Sequence, residues 1–413
     1  MADQDLDSYL RRIAQAKVNR RGFLAASGLT ASAAFLAACA GGSASASPSA
    51  AESAAASEAP SAAASEAPSA AASEGASPSP AAAVEKEFFL YNWSSYVAPE
   101  NIEAFKKTFG VDKFTYDTYA SNEEMMAKLQ GGAKGQWDVA APTAEFVPAM
   151  VEQGFLTKLE KSWIPNLANI GAAFKGLWWD PTDEYQVPKD WGTTGITVRK
   201  KYVSEEVKTW KEFFDVAPKY SGKIVVVDSP GDVFVAPLKA LGYSLNSVDP
   251  GELEQARTLM MDLAPHVLAL DSDQYQEKIR TGEAVLGLTW TGGILDLRDK
   301  PATADVVYEI PEDGTLFWMD TWVILADPPH PNGAYAFLNF IQDPQVAAKE
   351  TSANLYASAN DASKPYTDPK LLNDPALYPP ADVMTKLEGA KDVSTDPTRA
   401  AIWEEFKSKI GQH

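Results

Sequence analysis

An α/β chain divided into two lobes is what the sequence predicts, and three observations predict it. Short β-branched and aromatic runs alternate with stretches of helical periodicity from residue 87 onward. The part beyond residue 84 is about 330 residues long, more than one hydrophobic core usually organises. One stretch, Tyr185 to Arg199, holds Val187-Pro188 and Trp191-Gly192 and reads as an extended crossing from one lobe to the other.

The elements follow in chain order. Phe88-Phe89-Leu90-Tyr91 reads as the first strand. A helix then starts at Pro99-Glu100, with Ile102, Phe105 and Phe109 on one face. Phe114 to Tyr119 reads as a strand. Asn122 to Leu129 reads as a helix capped by Ser121 or Asn122, with Met125, Met126 and Leu129 turned inward. Trp137 to Ala141, Ile224 to Val227 and Ala284 to Trp290 read as further strands. Val323-Ile324-Leu325 reads as another strand and Gly333 to Gln342 as a helix. Strands separated by helices predict mainly parallel sheets.

The first 84 residues are of another kind. Cys39, the only cysteine, closes the run Leu36-Ala37-Ala38-Cys39. Upstream lie Arg20-Arg21 and a weakly apolar stretch from Gly22 to Ala38, shorter than the about 20 residues that a membrane-spanning helix needs. Residues 1–39 resemble a twin-arginine signal joined to a bacterial lipoprotein signal. That resemblance implies a lipid on Cys39 and a location outside the cytoplasm, in the periplasm or on the outer face of the cell membrane. Residues 40–83 are almost wholly Ala, Ser, Pro, Gly and Glu, and the octet from Ser57 to Ala64 repeats from Ser65 to Ala72. Such a composition cannot bury enough apolar surface to offset ordering, so a disordered tether with ends roughly 35 Å apart is expected.

Composition excludes several functions. The formal net charge is −20, which argues against a nucleic-acid partner. A single cysteine leaves no disulfide and no cysteine metal site. The histidines His266, His330 and His413 lie far apart, so neither a His-dependent triad nor a His-rich metal site is expected. No G-x-S-x-G, P-loop or G-x-G-x-x-G occurs, and no cofactor is expected.

What remains is an aromatic and acidic pattern. There are 11 tryptophans and 15 tyrosines. Several stand beside polar residues next to predicted strands, as in Tyr91-Asn92-Trp93-Ser94-Ser95-Tyr96, Leu288-Thr289-Trp290-Thr291 and Phe317-Trp318-Met319-Asp320. Ligands of α/β sheets sit outside the carboxyl ends of strands. Trp and Tyr faces attract cations, and a carboxylate accepts charge-assisted hydrogen bonds from an ammonium. Trp318 and Asp320 are two residues apart and share a face in an extended segment. The pattern alone allows a secreted two-lobed binding protein or a hydrolase with an aromatic, acidic cleft.

These segments, with Thr118 to Glu123, Trp137-Asp138-Val139 and Leu241-Gly242-Tyr243-Ser244, resemble the spermidine/putrescine-binding proteins of polyamine ABC transporters, in order over residues 87–410. The resemblance implies a two-lobed periplasmic-binding-protein-like fold of type II, with the ligand in a cleft between lobes joined by crossing strands. It implies first and returning parts of lobe 1 at 84–190 and 318–356, and of lobe 2 at 191–317 and 357–413. It implies a monomer without catalytic activity that captures a polyamine and delivers it to a membrane permease. Carried over residue by residue, it assigns Trp93, Ser94, Tyr96, Thr143, Asp232, Trp290, Trp318, Asp320 and Tyr356 to the ligand. A family tyrosine falls on Glu145, which either supplies a carboxylate or starts a solvated helix. A second family carboxylate falls on Ser229, with Asp228 adjacent, and a glutamine is lost around Gly389 to Lys391. The recognised segments contain no arginine, which argues against an amino-acid ligand. A carbohydrate-active hydrolase and a binding protein for an oligosaccharide or an amino-acid derivative remain as alternatives.

Overall fold

A computed structural model describes residues 83–410. Cys39, the Arg20-Arg21 segment and the low-complexity tract before residue 83 lie outside the described residues, as does His413. In chain order the strands are β1 (Glu87–Asn92), β2 (Lys113–Thr118), β3 (Val139–Ala140), β4 (Gln186–Arg199), β5 (Ile224–Val226), β6 (Val267–Leu270), β7 (Leu286–Trp290), β8 (Val306–Glu309), β9 (Thr315–Ile324), β10 (Ala357–Ser358) and β11 (Leu387–Gly389). Their order across the sheet is β2-β1-β3-β9-β4-β7-β5-β6, with β8 and β10 on β4 and β11 on β9.

Two long strands make this one sheet into two lobes. β4 pairs with β9 over residues 186–193 and with β7 over residues 194–198. One half-sheet is therefore β2-β1-β3 with the end of β9 and the start of β4. The other is β6-β5-β7 with the end of β4 and its neighbour β8. The expected crossing at 185–199 is a single buried strand, and its register shifts between Pro188 and Trp191, where proline offers no N–H to the ladder.

The expectation of mainly parallel sheets needs correction. β1, β2 and β3 are mutually parallel, as are β5, β6 and β7. Every ladder of β4 is antiparallel, and so is β3 with β9. A strand that carries the chain into a lobe runs against the strands which βα turns then build there. The strand expected over 137–141 shortens to Val139–Ala140. The one expected at 323–325 is the end of β9, a ten-residue strand, so Phe317 to Asp320 lie within a strand rather than before one. All ten residues of β9 are buried, so no alternation of apolar and polar residues marked its extent.

Local chemistry explains the helices that hold the first half-sheet. Helix Pro99–Phe109 begins with proline and ends at Gly110 in the left-handed conformation (φ 70°). Helix Asn122–Gln130 is capped by Ser121, whose hydroxyl accepts from the Glu124 N–H at 3.2 Å. β1 sends alternate side chains to two clusters: Phe88 and Leu90 pack with Phe105, Trp322 and Phe337, whereas Tyr91 packs with Met125, Trp137 and Val323. Buried Asp138 ties the start of β1 to helix Pro331–Ile341, accepting from the Phe89 N–H at 2.7 Å and the His330 N–H at 2.6 Å. Among the described residues no helix is long and apolar enough to cross a membrane.

Candidate functional site

A cavity of about 750 Å³ opens where the two half-sheets face each other. Trp93, Ser94, Tyr96, Thr143, Glu145, Asp232, Trp290, Trp318, Asp320 and Tyr356 all line it, so every described residue picked out from the sequence reaches one place.

The turn after β1 supplies the first three. Ser95 takes a left-handed conformation (φ 54°), which bends the chain sharply between Trp93 and Tyr96. The Tyr116 hydroxyl clamps this turn by donating to the Trp93 carbonyl at 2.6 Å and accepting from the Tyr96 N–H at 3.1 Å. Trp93 donates its indole N–H to the Ala141 carbonyl at 2.9 Å and meets Trp290 edge-on at 5.6 Å between centroids. Trp290 ends β7, so this contact spans the two half-sheets. A second aromatic chain runs from Tyr96 to Tyr356 (5.5 Å) and from Tyr356 to Trp318 (4.9 Å). Two glycines make that wall possible. A Cβ on Gly192 would stand 2.6 Å from Cζ2 of Trp318, and one on Gly292 would stand 2.7 Å from Cζ of Tyr356.

The carboxylates between these aromatic walls are held in two ways. Asp232 is the more saturated: it accepts from Ser229 Oγ at 2.6 Å, from Trp290 Nε1 at 3.0 Å and from Thr194 Oγ1. Ser229, where the resembled family has a carboxylate, thus serves as a donor to Asp232 and fixes Trp290 through it. Asp320, on β9, is less satisfied. Thr143 stands opposite it in an isolated antiparallel bridge, and the Thr143 hydroxyl accepts from Asn122 Nδ2 at 2.8 Å. Burial pushes the Asp320 carboxyl up to about 7, although the Tyr96 and Thr143 hydroxyl dipoles and the Lys189 ammonium favour its charged form. Glu145 is the middle residue of the 3₁₀ turn Ala144–Phe146, which leads directly into helix Val147–Glu152, and it is half-buried in the cavity wall. Burial, and then the charges of Asp320, Asp232 and Asp392, raise it well above the usual carboxylate range.

The cavity also brings in residues that the sequence did not single out. Glu123 sits just after the Ser121 cap and is pushed up to about 7 by burial, with Asp232 adding to the effect. Asp392 and Tyr275 line the same space, as does Asp228, already noted in the sequence beside Ser229. Arg399, which lies outside the recognised segments, lines it too. Its guanidinium is already occupied, with Nη2 donating to the Leu245 and Ser247 carbonyls at 2.5 and 2.8 Å and the plane 4.9 Å from the Phe234 ring centre. Conversely, the Trp318 indole N–H is buried without a hydrogen-bond partner, although Trp318 faces the cavity. Such a group is costly to leave unpaired, so a molecule in the cavity that pairs it gains affinity.

Two half-sheets joined by crossing strands, closing on a cavity of this size, define a protein that captures a small solute. The chain belongs to the bacterial extracellular solute-binding protein family, whose model matches residues 100–379. It is 34% identical over 323 residues to the spermidine/putrescine-binding periplasmic protein of Escherichia coli, covering 78% of this chain and 90% of the relative. It is 30% identical over 343 residues to a putrescine/cadaverine-binding protein of Pseudomonas aeruginosa, covering 80% and 96% of the two chains. A solved Listeria monocytogenes structure named for a spermidine/putrescine ABC transporter superposes with a TM-score of 0.73 at 29% identity, covering 78% of this chain and 99% of that one.

Proposed function

We propose that this chain binds a polyamine of the putrescine or spermidine class outside the cytoplasm and hands it to a membrane ABC permease. The observation that carries this reading is the combination within one cavity of Asp320, Glu145, Glu123 and Asp232 with the rings of Trp93, Tyr96, Trp290, Trp318 and Tyr356. Burial raises all four carboxyls above the usual carboxylate range, which marks them as short of a counter-charge. A flexible diamine supplies one at each end and apolar methylenes between, which suit aromatic walls. The relatives named for spermidine and putrescine support the same class.

In this reading the lobes divide at 84–190, 191–317, 318–356 and 357–413, and they close on the ligand by bending at β4 and β9. Closure is driven by a ligand that touches both lobes, because only a preference for the closed form shifts the equilibrium. The protein acts as a monomer without catalysis. Titration calorimetry with putrescine, spermidine, a monoamine of matched length, arginine and maltose tests this. The diamine or triamine should bind and compact the protein in small-angle scattering, whereas the monoamine should do neither at the same concentration. Binding of maltose or arginine alone, or turnover of a glycoside, would replace polyamine capture with one of the other readings.

Cys39 would carry the lipid that keeps the protein at the membrane, with residues 40–83 as tether. Cys39→Ser should release the protein into the soluble fraction with its polyamine affinity unchanged. Retention in the membrane fraction would show that the uncleaved leader is the anchor.

A further inference from the structure

We propose that Lys189 is a resident ammonium of the cleft, filling from behind Tyr96 a nest of aromatic rings and carboxylates of the kind that holds a ligand ammonium. It thereby reduces by one the positive charge that a ligand can bring to the Asp320 end. Lys189 is then the residue that favours diamines over triamines. This rests on the polyamine reading above.

Lys189 is 4% exposed and lies on β4 where the register shifts beside Pro188. Its ammonium stands 3.3 Å from the ring centre of Tyr96 and 5.2 Å from that of Trp322, and it pairs with Asp190. Tyr96 lines the cavity, whereas Lys189 stands against its ring without lining the cavity itself. Trp322 is two residues beyond Asp320 on the extended β9, so both side chains leave the strand on one side. Asp190 accepts a second hydrogen bond from Asn354 Nδ2 at 2.8 Å, and Asn354 itself lines the cavity. Glu350 completes the acidic surroundings. It accepts from Asn101 Nδ2 at 2.5 Å and from the Ala98 N–H at 3.1 Å, and its remaining oxygen has no partner.

An ion pair that only braced the crossing strand would not need two aromatic rings against its cation. Such rings are what an ammonium receives in a binding site. The charge also reaches the ligand site, since Lys189 favours and Asp190 disfavours the ionised form of Asp320. With so little water between them, a fixed positive charge there opposes each further ligand charge, and a triply charged amine suffers more than a doubly charged one.

The test is the ratio of spermidine to putrescine affinity, measured by calorimetry on the full chain. Lys189→Met should raise that ratio roughly tenfold, and Asp190→Asn, which leaves the ammonium less compensated, should lower it. Lys189→Arg should leave it near the wild-type value. A purely structural pair would weaken both amines alike in the first two variants, and that result overturns the proposal. Should Lys189→Met fail to fold, Asp190→Asn decides alone: a lower ratio supports the assignment and an unchanged ratio overturns it. Wild-type protein that binds neither amine removes the polyamine reading and this inference with it. Wild-type binding with unmoved ratios removes this inference only.

Discussion

Asp320→Asn should weaken putrescine and spermidine binding by roughly 30-fold or more, with little change in thermal stability of the ligand-free protein. Removing one partner of a buried, hydrogen-bonded charge pair costs about 2–5 kcal/mol. Asp320 is the carboxylate on which that cost should fall most heavily. It is buried, with only the Tyr96 and Thr143 hydroxyls against it, whereas Asp232 already accepts from Ser229, Thr194 and Trp290. Asparagine keeps the shape and the Thr143 bridge and removes only the charge. Wild-type affinity in this variant would show that the ammonium rests elsewhere. A collapse in melting temperature would instead make Asp320 a scaffold residue of β9.

The second large effect is on the pH dependence of binding. Burial pushes both Asp320 and Glu123 up to about 7 without ligand. An ammonium favours the ionised carboxylate, so binding must lower these values and release protons when the pH is near or below them. Affinity should be greatest above about pH 8 and should fall by up to about tenfold per unit, for each such carboxyl, as pH drops below about 7. The ligand-free protein should show the opposite trend in its own stability. A carboxyl whose folded value lies above its unfolded one contributes stability that is complete below the ordinary carboxylate range. That contribution is lost as pH rises toward about 7. Calorimetry from about pH 5.5 to 8.5, with melting curves of free and bound protein, reads both trends. A flat affinity across that range would mean that these carboxyls are already ionised or do not touch the ligand.

Much of the first half-sheet was legible because its strands and helices are local. The Ser121 cap, the proline that opens helix Pro99–Phe109 and the alternation of β1 each speak through neighbours in sequence. β9 was read short because it is buried on both faces and so carries no period. The aromatic members of the cavity stood out because large side chains beside strand ends are conspicuous. Glu123 and Asp392 did not, since a carboxylate near a cap or in a loop looks like ordinary surface until the fold encloses it. Lys189 was hidden in the same way. Nothing in Pro188-Lys189-Asp190-Trp191 shows that its cation lies under Tyr96, more than ninety residues earlier in the chain. The Tyr116 clamp on the Trp93 turn depends on strand pairing, which spacing alone does not reveal.

β9 lies between β3 and β4 in the finished sheet, yet it comes after β5 to β8 in the chain. The first half-sheet therefore has a gap between β3 and β4 until about residue 324 has been made, whereas the strands of the second, from the end of β4 to β8, are consecutive in the chain. Folding must wait for this late central strand to insert between partners already present. That is a long loop closure of the kind that slows folding and leaves strand edges open to wrong pairing meanwhile. During synthesis the chain should therefore depend on protection of those edges, and N-terminal truncation products ending before β9 should aggregate rather than persist as a stable half-molecule.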